Sequence, residues 1–117
     1  DQRTSMLSMG VEESFDDLLN HNLSSEEYFV TAGVTQSQVN SLIIELTLSG
    51  EPQEWTASYK TYVGALKKLN EQITETVVVA KLMKDNNPVP IDELISKMYQ
   101  LKAQSLDLIE KSNNSRP

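Results

Sequence analysis

The chain has 117 residues, 38% of them hydrophobic and 23% charged, with a net charge of −7. That length suits one domain able to bury roughly two-thirds of the surface its unfolded form exposes. With no cysteine, disulfides, thiolate catalysis and cysteine-ligated metal are excluded, while the compartment stays open, with cytoplasm favoured over secretion. The longest apolar run is Val77–Ala80, far short of a membrane span, so a soluble chain without membrane insertion is expected.

Charge is divided unevenly. Residues 1–54 hold ten carboxylates against the single base Arg3, a net of −9, and residues 55–117 hold nine bases against seven acids, a net of +2. This division favours the N-terminal segment lying against the C-terminal one, in its own chain or a neighbour, with charge steering the encounter. The start at Asp1, without an initiator Met or a signal-type segment, reads as a processed or excised fragment.

Residues 1–11 combine Ser, Thr, Gln and Gly10 with isolated apolar groups and read as a flexible lead-in. A short helix is expected over about 12–21, with Phe15, Leu18 and Leu19 on one face and four carboxylates in its first turns. Ser24 stands three positions before Glu27, the capping-box arrangement, and starts a second short helix that should end at Gly33. Thr35 and Gln38 repeat the device. A third helix is therefore expected from about 36 to 49, with a buried stripe of Val39, Leu42, Ile43 and Leu46 and a stop at Gly50.

From Trp55 the spacing becomes strictly four and three: Trp55, Tyr59, Tyr62, Leu66, Leu69, Ile73, Thr76, Ala80 and Met83. A seam of this length predicts a long helix packed along a partner helix with a coiled-coil-like crossing. The run Asp85–Pro90 reads as a helix stop, a turn and a helix start. Ile91, Leu94, Met98, Leu101, Ser105 and Leu108 repeat the spacing over about 91–111. The short link makes residues 53–111 an antiparallel hairpin. Residues 112–117 are polar and read as a disordered tail.

The expected fold class is all-α: short N-terminal helices packed on a long antiparallel helical hairpin, a coiled-coil-like bundle of four or five helices. The last helix reaches only about two-thirds of the length of the one it folds against. The Trp55, Tyr59 and Tyr62 end of the seam then needs another cover, either the N-terminal helices or a second copy.

Residues 24–50 resemble the helix-turn-helix of winged-helix proteins: a short helix, the turn Gly33-Val34-Thr35, and a helix closing on a Leu-rich stretch and Gly50. The resemblance covers about 27 residues. It implies groove-facing positions at Gln36, Ser37, Gln38, Asn40 and Ser41, since Gln and Asn can read adenine edges. Against it, the segment has no lysine or arginine, and phosphate neutralisation by cations dominates nucleic-acid affinity. The version that survives this objection is an oligomer similar to a phage small terminase subunit, with Lys60, Lys67 and Lys68 supplied by other copies.

His21 is the only histidine, with Glu13 and Asp17 at the preceding helical turns. One such face offers two carboxylates and an imidazole, but no second histidine, Glu-x-x-His pair or phosphate-binding glycine loop accompanies it. The sequence thus points to a non-enzymatic assembly or adaptor protein that needs no cofactor or metal. It would act through helix–helix contacts with another protein or further copies of itself, with Trp55, Tyr59, Tyr62, Leu66, Leu69 and Ile73 as the expected contact residues.

Overall fold

A computed structural model describes residues 2–117. Four helices follow in chain order: α1 (Gln2–Asn20), α2 (Ser25–Thr47), α3 (Ala57–Lys84) and α4 (Ile91–Asn114), with a single 3₁₀ turn at Pro52–Glu54. Each helix packs on its chain neighbour, and α1 also packs on α4. The result is an up-down-up-down four-helix bundle measuring 48 × 23 × 18 Å. The acidic N-terminal half therefore lies against the hairpin of its own chain, and Asp16 of α1 pairs with Lys102 of α4.

Each helix supplies a stripe at spacings of three and four. Val11, Phe15 and Leu18 come from α1, and Ala32, Val39, Leu42 and Leu46 from α2. Tyr59, Leu66, Leu69 and Ile73 come from α3, and Leu94, Met98, Leu101 and Ile109 from α4. All are buried because a bundle leaves each helix one solvent face and turns the rest inward.

Three expectations are corrected. The segment read as a flexible lead-in is helical from Gln2, and Thr4 is fully buried; Asp1 lies outside the described residues. A single helix α1 thus replaces the short one expected from residue 12, because Thr4, Val11, Phe15 and Leu18 all fall on the covered face.

The helix-turn-helix is absent. The backbone runs as one helix from Ser25 to Thr47, straight through Gly33-Val34-Thr35. Thr35 does not cap a new helix; its hydroxyl donates to the Thr31 carbonyl at 2.9 Å and lies 2.6 Å from the Ser14 hydroxyl on α1. Burial of Ala32, Thr35 and Val39 against α1 outweighs the roughly 1 kcal/mol that a mid-helix glycine costs.

The tail read as disordered continues α4 to Asn114. Beyond it, Arg116 Nε donates to the Ser49 hydroxyl at 2.7 Å and Nη1 to the Thr4 hydroxyl at 2.6 Å. The tail is held by these bonds across three chain segments.

Other local signals act as read. Ser24 and Glu27 form the full capping box, with the Ser24 N–H donating to Glu27 Oε1 and the Glu27 N–H to Ser24 Oγ. At the end of α3, Asn86 takes a left-handed φ of 64°. The Asn87 N–H then reaches the Leu82 carbonyl and the Asn86 N–H the Met83 carbonyl, the paired bonds of a Schellman stop. Gly50, at φ 66°, reverses the chain after α2.

Two outcomes follow from these helix signals. A Cβ at Gly33 meets nothing within 4 Å, so Gly33→Ala should raise stability by about 0.5–1 kcal/mol in chemical denaturation. A loss there would show that the backbone turns at this point. The Ser24 hydrogen bonds hold the Glu27 carboxyl below its ordinary 4.5, so their contribution is complete above that value and is lost as pH falls through the folded pKa. Glu27→Gln, which cannot ionise, should therefore lose the pH dependence of first-turn amide exchange in the acid range.

Candidate functional site

The seam residues expected to make external contacts are internal. Tyr59, Leu66 and Ile73 are fully buried, Leu69 nearly so, and Tyr62 is half-buried. The cover comes from α2 on one side of α3 and α4 on the other. The seam was long enough to need two partners, and its own chain provides both.

Trp55 does not belong to the helix at all. It precedes the α3 N-cap Thr56, whose hydroxyl accepts the Tyr59 N–H at 3.1 Å. The Trp55 indole packs edge-on to Tyr59 with centroids 4.9 Å apart, and its Nε1 donates to the Ser49 carbonyl at 2.6 Å. The Tyr59 hydroxyl donates to the Leu46 carbonyl at 2.6 Å. Both aromatics thus bond to carbonyls at the end of α2, where the regular helical ladder runs out and Leu46 otherwise has the Ser49 N–H at 3.2 Å.

The residues of the nucleic-acid reading are scattered. Gln38 faces α1, its amide oxygen 2.8 Å from where a Cβ on Gly10 would sit, and Gln36 is half-buried. Asn40 and Lys67 line the opposite side of α2, in the groove it shares with α3. Lys68 lies between α3 and α4 beside Gln104 and Asp107, and Lys60 is exposed near the start of α3. With α2 unbroken, no second helix stands off to enter a groove.

His21 follows α1, and its Nδ1 donates to the Asp17 carbonyl at 3.2 Å. The Asp17 and His21 side chains are each more than half exposed. Among the described residues, no three of His, Cys, Asp and Glu gather as a metal-binding set, and no helix is long and apolar enough to cross a membrane.

The feature that sequence reasoning passed over is the solvent face of α2. Residues 28–44 contain no charged side chain. That is over four turns of a helix of which one side is exposed. On that side Val30 is 57% exposed, Val34 47%, Ile44 53% and, just past the helix, Leu48 72%. Gly33, Ser37 and Ser41 lie among them and keep the surface low. Open grooves flank it, one bounded by Leu7 of α1 and the other by Lys67 and Asn70 of α3. The signal was present as a four–three series at 30, 34, 37, 41, 44 and 48. It was hidden because the buried stripe of the same helix shares the period.

The arrangement offers a packing surface, and its test is the anchor that aims the face. Tyr59→Phe leaves the Leu46 carbonyl only the Ser49 N–H at 3.2 Å and should lower stability by about 0.5–1.5 kcal/mol in chemical denaturation. Unchanged stability would mean that the Ser49 bond alone satisfies the carbonyl. Comparison with known protein families, curated proteins and solved structures finds no significant match to this chain.

Proposed function

We propose that this is a non-enzymatic assembly or adaptor protein that works by helix–helix contact, with the solvent face of α2 as its contact surface. One observation supports the reading above others: a helix that is charge-free from Tyr28 to Ile44 keeps aliphatic side chains in water. An exposed helix face in a chain with 23% charged residues ordinarily carries charge. A partner helix laid on this face meets no charge to desolvate, and the low Gly33, Ser37 and Ser41 positions allow close approach.

Magnitudes limit the partner. Covering four roughly half-exposed aliphatic side chains contributes about 3–5 kcal/mol, which only begins to offset a rigid-body cost of about 4–15 kcal/mol. A partner must therefore also fill the flanking grooves beside Leu7 and Lys67. A stable complex needs at least two contacting helices on the partner side.

A photo-reactive residue at Ser37, which is exposed on this face, tests the reading in the protein's own host. Cross-linked species are expected from Ser37, and they should disappear when Val34→Lys and Ile44→Lys are added. Cross-linking no stronger than from Gln100, exposed on α4, would count decisively against it.

A further inference from the structure

A second surface lies at the end of the bundle where α1 and α3 finish and α2 and α4 begin. A cavity of about 320 Å³ opens there, the space of roughly ten waters and at the small end of the range for ligand pockets. Its walls are Leu18, Leu23, Met83 and Leu94, with Ile95 at its edge. Ile91 and Ile95 remain 51% and 38% exposed on its α4 side. Tyr28 is also part of the wall; it is 8% exposed and its hydroxyl has no hydrogen-bond partner among the described residues.

The surrounding charge has one sign. Residues 16–28 and 81–97, which make up this end, hold seven carboxylates and three lysines. Two of the carboxylates are neutralised in place, Asp16 by Lys102 and Asp85 by Lys81. Lys84 is turned onto the Phe29 ring, 5.2 Å from its centre. Asp17, Glu26, Asp92 and Glu93 are exposed at this end of the bundle, next in sequence to the cavity-lining Leu18, Ser25, Ile91 and Leu94; Asp17 pairs with His21, and Lys97 is half-buried.

We infer that this end docks a basic amphipathic helix, which seats one large apolar side chain in the cavity while its lysines or arginines meet Asp17, Glu26, Asp92 and Glu93. An apolar pocket alone would accept many occupants. The exposed carboxylates at this end select among them, because they attract cationic flanks and reject anionic ones. The same charge disfavours a second copy docked end to end, which would set one net −3 region, with Lys102 counted beside its partner Asp16, against another. The Tyr28 phenol, pushed up to about 12 by burial, stays protonated and can donate to a polar group carried in by the anchor. The inference concerns a different surface from the α2 face and does not rest on it.

The test uses the full chain and fluorescence anisotropy with a labelled Lys/Leu/Ala helical peptide bearing one central Phe. Binding is expected in the micromolar range, weakening about tenfold between low and moderate salt. Its twin with Glu in place of Lys, and its twin with Ala in place of Phe, should each bind at least about tenfold more weakly, one 1.4 kcal/mol step. Ile91→Lys with Ile95→Lys should abolish binding. Both positions are partly solvent-exposed, and circular dichroism confirms the fold. Asp92→Asn with Glu93→Gln should flatten the salt dependence, and Val34→Lys with Ile44→Lys should change nothing. Equal binding by either twin, or no binding of the Lys peptide, overturns the inference. So does a dimer in sedimentation that Ile95→Lys dissolves, which would make the occupant a second copy.

Discussion

Two aromatic side chains are tied to carbonyls at the end of α2: Tyr59 donates to Leu46, which also accepts the Ser49 N–H, and Trp55 donates to Ser49. These bonds straddle the Thr56 cap of α3, so they fix the direction in which α3 leaves and its rotation about its own axis. Rotation is the critical variable in a bundle, since a turn of one residue would bring Lys60 and Lys67 toward the core. With Tyr59 anchored, Val63, Leu66 and Ile73 follow into the interior. The same anchor holds α2 with Val39, Leu42 and Leu46 inward. The charge-free series then has only the solvent side left to it.

Periodicity and stop signals in the C-terminal half were sufficient to read. The seam from Tyr59 to Met83, the Asp85–Pro90 link and the Ile91 start appear as α3, its Schellman stop and α4. The N-terminal half was harder because its decisive terms are tertiary. Gly33 followed by Thr35 and Gln38 has the form of a stop and a cap, and locally that pattern is sound. It is overridden by packing on a different helix: α2 runs on unbroken, so no backbone N–H there needs a cap, and the Thr35 hydroxyl lies against the Ser14 hydroxyl instead. Likewise Thr4 and Arg116 look like polar residues of two loose ends, and only the folded chain brings them together. The candidate contact residues were misplaced for a related reason. A heptad seam marks a surface that must be covered, and says nothing about whether the cover belongs to the same chain.

The distribution of charge takes on a spatial meaning in the bundle. The sequence excess of acid over its first 54 residues does not spread evenly, because α2 contributes none of it between its first turn and Glu45, whose carboxylate pairs with Arg3 Nε at 3.3 Å. Acid collects instead along α1 and in the first turn of α2, with Glu51 and Glu54 in the link after α2, and the first turn of α4 adds Asp92 and Glu93 at the cavity end. The molecule therefore presents two unlike surfaces, a neutral ridge along α2 that relies on shape and an acidic mouth that relies on field. A partner on a neutral ridge would bind with little dependence on salt, whereas the proposed docking at the mouth would weaken as ionic strength rises.

Arg116 spans from the Ser49 hydroxyl to the Thr4 hydroxyl, so the first turn of α1 and the segment after α4 lie side by side, at the pole away from the acidic mouth. A fusion partner, tether or immobilising tag on either segment would leave by that same pole. Such attachments would present the mouth outward without obstruction, and the neighbouring segments could be spliced by a short linker, with new ends opened in the exposed Asn86–Pro88 turn.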